Sequence, residues 1–318
     1  MTRIAVLDDY LNQFHEFADW NSLPDECDVT FFNEHLGYDE ATIAEELKDF
    51  DVILGVRERT PFPESQIAKL PNLKLLITTG MHNASFDFKG AKKHDVVVCG
   101  TKTLSHPTVE HTWALILAAT KFIPAKDQAI KNGQWQAGMA VGLKDKTLGV
   151  LGLGRLGSQV AKIGQAFGMN VIAWSQNLTQ ERGDEVGGVQ CVDKETLLKE
   201  ADVLTIHYKL SDRSRGLIGK KEFGAMKPSS YIVNTSRGPI IDEQALLNAL
   251  KNKEIAGAAI DVFWKEPLPA DHPIRKLDNA VLTGHTGYVM KENHEVNFSN
   301  AIEVITAWLN GNPINVIE

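Results

Sequence analysis

Cysteine is scarce in this chain of 318 residues, and the three present, Cys27, Cys99 and Cys191, lie far apart with no CxxC pair. That spacing excludes a disulfide framework and a zinc ribbon, and reads as small hydrophobes in a reducing compartment. No His, Cys or carboxylate cluster has metal-ligand spacing, so no metal site is assigned. Positive charge is also in short supply. Lys and Arg number 33 against 41 Asp and Glu, giving a formal charge of −8, and the pI is near 5.7. Such a balance argues against nucleic acid or an anionic membrane surface as partner. No apolar run approaches the ~18 residues of a bilayer span, and MTRIAVLDDY enters a strand pattern without signal-peptide features. A cytoplasmic location is the expectation. Repeats and low-complexity stretches are absent too.

What is there is ordinary globular composition, 43% hydrophobic and 23% charged, at a length that predicts about two domains. The chain is organised around residues 147–175, TLGVLGLGRLGSQVAKIGQAFGMNVIAWS. Leu148 to Leu151 suits a strand buried on both faces, and Val160, Ile163, Gly164 and Phe167 then recur at helical spacing. A second apolar run, Asn170 to Trp174, completes a strand-helix-strand unit. Between them stands Gly152-Leu153-Gly154-Arg155-Leu156-Gly157, a GxGxxG turn in the context that a dinucleotide requires. Gly152 permits the turn, Gly154 admits a pyrophosphate, Gly157 lets the helix lie close, and the helix N-terminus offers N–H groups to the phosphates.

The acidic residue expected at the end of the second strand, where the ribose 2′-OH of NAD is bound, is missing. Ser175 stands there, followed by Gln176 and Asn177. With no carboxylate to repel a 2′-phosphate, the cofactor is NAD(P) of open type, NADP slightly favoured. Ser175 and Asn177 can donate to a 2′-phosphate, and Arg182 adds a charge if its loop folds inward.

Residues 1–100 alternate short apolar runs (Ile4–Leu7, Val29–Phe32, Val52–Val56, Leu73–Thr78, Val96–Cys99) with helical patterns around 14–20, 41–50, 64–70 and 86–93. That alternation predicts a parallel sheet with helices on both faces. A long apolar helix, Val109 to Phe122, follows His106-Pro107. Past Trp174 come a helix at Leu197–Ala201, strands at Val203–His207 and Tyr231–Asn234, a helix at Asp242–Lys253, and strands at Ala256–Val262 and Ala280–Thr283. The helix from Lys291, with Val296, Ile302, Val304, Ile305 and Trp308 at apolar positions, ends at Gly311 and Pro313. It is expected to return to the first domain. The predicted fold is therefore α/β, two doubly wound parallel-sheet (Rossmann-like) domains with the first discontinuous. Residues 1–101 plus 289–318 form a flavodoxin-like substrate-binding domain, and 102–288 the NAD(P)-binding domain.

Three stretches at or after strand ends carry candidate chemistry: Asn234-Thr235-Ser236-Arg237-Gly238-Pro239, Asp261-Val262-Phe263-Trp264-Lys265-Glu266-Pro267, and Gly284-His285-Thr286-Gly287. Carboxyl ends of parallel strands converge on one ligand site. An Arg, a His and a carboxylate suit reduction of a 2-oxo acid. The guanidinium holds a carboxylate, the imidazole exchanges a proton near neutral pH, and a neighbouring Glu orients the ring and favours its protonated form. Taken singly, each has a bland alternative: a loop arginine, a Glu266–Lys265 pair, a structural histidine. Three such residues at three strand ends outweigh those alternatives together. For Arg57 and Arg59 a solvated face is as good a reading as a substrate role.

The glycine turn, NTSRGPIID, DVFWKEP and GHTG, in this order and spacing, resemble the D-isomer-specific 2-hydroxyacid dehydrogenases over essentially the whole chain. The resemblance implies hydride transfer between NAD(P)H and a small 2-oxo acid, with glyoxylate, hydroxypyruvate and phosphoglycerate-like acids as substrates to test. It implies Arg237 as carboxylate and carbonyl binder, His285 as proton donor and Glu266 as its partner. It places Thr235, Ser236 and Asp261 at the cofactor, where Gly287 is also expected; His207, after another strand, is read separately as lining the adenine side. Gly80, Met81 and His82 are implied at the substrate carboxylate, the last two through N–H groups. Ser175 departs from the Asp of most NAD-dependent members, and Glu266 departs from the Gln of the formate dehydrogenases. The uncharged segment Asn132 to Val141, with the helix before it, is implied as a homodimer interface. A nucleotide-sensing corepressor-like interaction protein on the same scaffold is the competing function, since such proteins resemble the family and retain similar residues.

Overall fold

Runs of Val, Ile and Leu with no polar alternation form the central strands, because a strand covered by helices on both faces meets no water on either side. Val52–Gly55 and Leu75–Thr78 are buried along their whole length, as are Val203–Ile206, Tyr231–Asn234 and Gly257–Ile260. The structure, a computed structural model, describes residues 1–317. The chain divides into two units, Met1–Leu104 together with the stretch from Val289 onward, and Ser105–Tyr288.

In the first unit β1 (Thr2–Val6), β2 (Cys27–Phe31), β3 (Val52–Gly55), β4 (Leu75–Thr78) and β5 (Val97–Gly100) form a sheet in the order β2-β1-β3-β4-β5. Every pairing is parallel. Helices α1 (Glu40–Leu47), α2 (Glu64–Ile67) and α3 (Phe88–Lys93) connect its strands. The Asp39 side chain accepts from Thr42 N, and Asp87 from Gly90 N, so two of these helices begin on an N-cap aspartate. On its outer edge β5 meets the far end of the chain: Gly100 N–H donates to Asn315 O at 2.9 Å and Ile317 N–H to Val98 O at 2.8 Å.

The helix expected over residues 14–20 is replaced by two 3₁₀ turns, Phe14–Glu16 and Trp20–Ser22. Side chains compete with the helical ladder there. Asp9 accepts from the N–H groups of Gln13 and Phe14, Trp20 Nε1 donates to Phe14 O, and Ser22 Oγ to Asp19 O.

The second unit runs α4 (His106–Lys121), α5 (Ile123–Lys131), β6 (Thr147–Leu151), α6 (Arg155–Ala166), β7 (Asn170–Trp174), α7 (Gln180–Glu185), β8 (Gln190–Cys191) and α8 (Lys194–Glu200). It continues with β9 (Val203–Ile206), α9 (Lys220–Ala225), β10 (Tyr231–Asn234), α10 (Glu243–Lys251), β11 (Gly257–Ile260) and β12 (Ala280–Leu282). The parallel sheet has the order β12-β11-β10-β9-β6-β7-β8, so strand order reverses between β6 and β9, the switch point where such sheets bind nucleotides. The apolar helix expected over Val109–Phe122 is α4, which ends at Phe122, and a second helix, α5, follows directly. Phe122 takes a left-handed φ of 53° between α4 and α5, and Pro124 opens the second.

Helix α11 (Lys291–Leu309) closes the first unit. Its Phe298 packs on Phe14 and Trp20 and its buried His294 on Phe14 and Phe17, and its other buried residues as far as Asn300 are asparagines. Asn293 Oδ1 takes Leu104 N–H, Asn300 Oδ1 takes Lys102 N–H, and Asn297 Nδ2 donates to Lys102 O. Among the described residues no helix is long and apolar enough to cross a membrane.

Candidate active site

At the switch point the three fingerprint glycines meet different constraints. Gly152 has φ +100°, a Cβ on Gly157 would stand 2.0 Å from Gly152 O, and one on Gly154 would meet nothing within 4 Å. Tight packing behind the turn and open room in front of it are what a pyrophosphate needs. Gly154 caps α6 without a side-chain hydrogen bond, so the N–H groups of Arg155, Leu156 and Gly157 lie in the first turn, where no intrahelical acceptor exists. The turn fits a dinucleotide.

Arg182 lies against the glycine turn. From α7 its Nε donates to Leu153 O at 3.4 Å, Nη2 to Ser158 Oγ at 2.9 Å and Nη1 to Glu185 Oε2 at 2.7 Å. Ser158 Oγ in turn donates to Gly154 O at 2.7 Å. Arg182 therefore braces the glycine turn, a role the sequence did not suggest because the contact is made across a loop. At the ribose corner Ser175 is half-buried and Gln176 and Asn177 exposed. Gln176 N–H faces the hydroxyl of Tyr208 at 3.4 Å, and the Tyr208 ring stacks on Trp174. Tyr208 was not anticipated here. His207 lies beside the turn through its backbone, since a Cβ on Gly152 would come within 2.6 Å of His207 O. Its ring is held by Thr205 at 2.9 Å, and burial pushes its pKa down to about 4, so the imidazole is neutral.

The carboxyl ends of the neighbouring strands β10, β11 and β12 carry the remaining candidates. Thr235 Oγ1 lies 2.8 Å from Thr112 Oγ1 on α4, and Ser236 Oγ donates to Tyr208 O. Arg237 follows in extended conformation with Nη1 donating to Ser236 O at 2.7 Å. The next residue has to be glycine: a Cβ on Gly238 would overlap the Phe263 backbone at 2.2 Å. This close approach sets the Arg237 loop against the loop that carries Glu266. The Glu266 carboxylate spans two elements, Oε1 accepting from Phe263 N–H at 2.7 Å and Oε2 lying 2.6 Å from His285 Nδ1. The His285 ring is buried and meets Tyr288 edge-on. Its backbone is left-handed, φ 54°, a conformation that costs a non-glycine residue free energy. Asp261 lies beneath this turn. Its Oδ1 accepts from Thr286 N–H at 2.8 Å, its Oδ2 from Gly287 N–H at 3.0 Å, and its backbone O from His285 N–H at 2.6 Å. Burial raises the Asp261 pKa, but hydrogen bonds from His111 and Thr283 outweigh it and hold the carboxyl well below the usual range.

The first unit has its own loop after β4. Gly80, with φ +87°, donates its N–H to Thr101 Oγ1 at 3.1 Å, and Met81 and His82 are exposed. Arg57 reaches over this loop, Nη1 donating to Thr79 O at 3.0 Å and lying 2.4 Å from where a Gly80 Cβ would stand. Arg59 turns elsewhere, toward Asp8 O and the Tyr10 ring.

These features define a dinucleotide-binding dehydrogenase domain, and residues 113–287 match the family domain described as "D-isomer specific 2-hydroxyacid dehydrogenase, NAD binding domain". Among similar proteins is a D-3-phosphoglycerate dehydrogenase of Archaeoglobus fulgidus, 39% identical over 80% of this chain and 49% of that protein. A glyoxylate reductase of Aeropyrum pernix is 37% identical over 79% of this chain and 78% of its own length. The solved structure of a phosphoglycerate oxidoreductase from Vibrio cholerae superposes with a TM-score of 0.92 at 35% identity, over 98% of this chain and 100% of that one. The chain belongs to the D-isomer specific 2-hydroxyacid dehydrogenase family. It spans about half the length of the D-3-phosphoglycerate dehydrogenases it matches.

Proposed function

We propose that this protein transfers a hydride between NAD(P)H and a small 2-oxo acid, forming the D-2-hydroxy acid. The observation that carries the reading is the 2.6 Å contact between His285 Nδ1 and Glu266 Oε2, beside the Arg237 loop, in a sheet whose switch point fits a dinucleotide. When bound, the reduced nicotinamide supplies the hydride. Arg237 binds the substrate carboxylate and polarises its carbonyl through planar donors. His285, with Nδ1 engaged by Glu266, presents Nε2 as the atom that gives a proton to the developing alkoxide in reduction and takes it back in oxidation. Glu266, itself fixed by Phe263 N–H, keeps the ring from rotating away. In the first unit, Gly80 and the N–H groups of Met81 and His82 are assigned to the substrate carboxylate. The turn from Gly152 to Gly157, the corner Ser175-Gln176-Asn177, and Thr235, Ser236, Asp261, Gly287 and the His207 backbone are assigned to the cofactor.

Absence of a carboxylate at Ser175 supports use of NADPH, with NADH tolerated. Relatives named for glyoxylate and for phosphoglycerate support glyoxylate, hydroxypyruvate and phosphoglycerate-like acids as the class to test. Trp135 and Met139 are 81% and 90% exposed on an uncharged loop, which supports a homodimer formed on that surface. Light scattering is expected to give twice the 35.1 kDa chain mass, and a monomer mass would overturn the dimer. Initial rates for a panel of 2-oxo acids, each with NADH and NADPH, test the activity. No turnover of any member with either cofactor would refute it.

A further inference from the structure

His111, in the second turn of α4, has no part in the chemistry above, yet its ring reaches the centre of the site's framework. Its Nε2 lies 3.0 Å from Thr283 Oγ1 and 3.2 Å from Asp261 Oδ1. Thr283 Oγ1 lies 2.6 Å from the same carboxylate oxygen. The direction of this chain follows from proton counting. An ionised carboxylate only accepts, so the single Thr283 hydroxyl proton goes to Asp261, and toward His111 the hydroxyl oxygen can only accept. Nε2 of His111 therefore bears a proton whether the ring is neutral or charged; it is shared between Thr283 Oγ1 and Asp261 Oδ1, and Thr283 donates to the same carboxylate oxygen.

Everything that Asp261 holds in turn belongs to the His285 loop. Three successive N–H groups, those of His285, Thr286 and Gly287, end on this one residue. They hold His285 in the left-handed region, which a non-glycine residue enters only at a cost. Thr112, the next residue of α4, joins the same framework through Thr235 Oγ1.

We propose that His111 is a positioning residue for the reaction proposed above: acting through Thr283 and Asp261, it fixes the backbone turn that aims the His285 ring. The inference rests on that reaction, and two readouts keep the two apart. In the intact protein, His111→Leu removes the donor to both Thr283 and Asp261, Thr283→Val removes the hydroxyl that donates to Asp261 with almost no change of shape, and His111→Gln retains an N–H near the Nε2 position. Misplacing a reacting group by a fraction of an ångström to an ångström lowers turnover by about 10- to 100-fold. His111→Leu and Thr283→Val are expected to lower kcat by about that factor while the KM for the 2-oxo acid changes less than about threefold, and His111→Gln recovers most of the loss. The second readout is the NMR signal of the Nδ1 proton between His285 and Glu266, assigned by its disappearance in Glu266→Gln. It should shift or broaden in the Leu and Val variants and return in the Gln variant. Should Leu not fold, Val carries the test. Turnover within about threefold of the parent in the folded Leu or Val variant, or a Gln variant no better than Leu, overturns the proposal. Should the parent turn over no 2-oxo acid, the proposed reaction fails, and the NMR signal alone decides: unchanged in Leu and Val, it overturns the role of His111.

Discussion

Replacing His285 by asparagine separates its proton-transfer atom from everything else the residue does. Asparagine tolerates the left-handed backbone found at this position better than most residues. Its Nδ2 can take the place of the imidazole Nδ1 and donate to Glu266 Oε2, so the 2.6 Å contact has a substitute. What is lost is Nε2, with nothing able to deliver a proton to the alkoxide. General acid catalysis by a positioned side chain contributes about 10²–10⁴-fold, which corresponds to about 3–5 kcal/mol of barrier. The fold should barely notice, and the melting temperature should stay within about 4 °C of the parent. Steady-state oxidation of NADPH and NADH with the best 2-oxo acid measures kcat, and nucleotide fluorescence titration measures cofactor affinity. A kcat reduced by about 10²–10⁴ with cofactor affinity within about twofold is expected. A folded His285→Asn protein with kcat within about tenfold of the parent would refute the role of Nε2.

Arg237→Lys keeps the charge but not the planar donors, so the KM for the 2-oxo acid should rise, with a smaller fall in kcat; unchanged constants for both would remove Arg237 from the site. Ser175→Asp restores a carboxylate at the ribose corner and should shift kcat/KM toward NADH, whereas an unmutated protein that ignores NADPH would show that this position was misread. Burial holds the imidazoles of His207 and His294 down to about 4 from an ordinary 6.5, Arg59 adding to the effect at His294. Both pKa values are depressed by folding, so the unfolded chain binds more protons in that window: stability is full above 6.5 and is lost as the pH falls toward 4. Thermal melts between about pH 7.5 and about pH 4.5 should show a falling Tm, and a rise on acidification would contradict the assignment.

Much of the second unit was legible because buried parallel strands are unbroken apolar runs closed by glycine or a polar turn. Tyr231–Asn234 and Asn170–Trp174 have the bounds that this pattern predicts, and the fingerprint glycines meet the packing limits expected of them. Short or interrupted elements escaped. Gln190–Cys191 pairs over two residues, too few for periodicity, and α5 buries only Ala129, which leaves no apolar face to read. Arg237, Glu266 and His285 stood out because each follows a strand. The residues packed around the site did not. His111 meets Thr283 and Asp261, Tyr208 meets Ser236, and Arg182 meets the glycine turn, all across separations in sequence where only tertiary structure supplies the partner. The early face of α11 shows the same limit from another side. Asn293, Asn297 and Asn300 look solvent-facing by composition, yet they are buried because backbone groups of residues 102–104 need partners.

The contact between β5 and residues 315–317 has a bearing on how the chain is made. Strand β5 offers a row of N–H and C=O groups on its outer edge, and an uncovered edge of this kind recruits strands from other molecules. Its cover arrives more than two hundred residues later in synthesis, after the whole of Ser105–Tyr288 has emerged. The unit begun first is thus the one completed last. A nascent chain stalled short of Asn315 has residues 105–288 complete while the outer edge of β5 still lacks its cover.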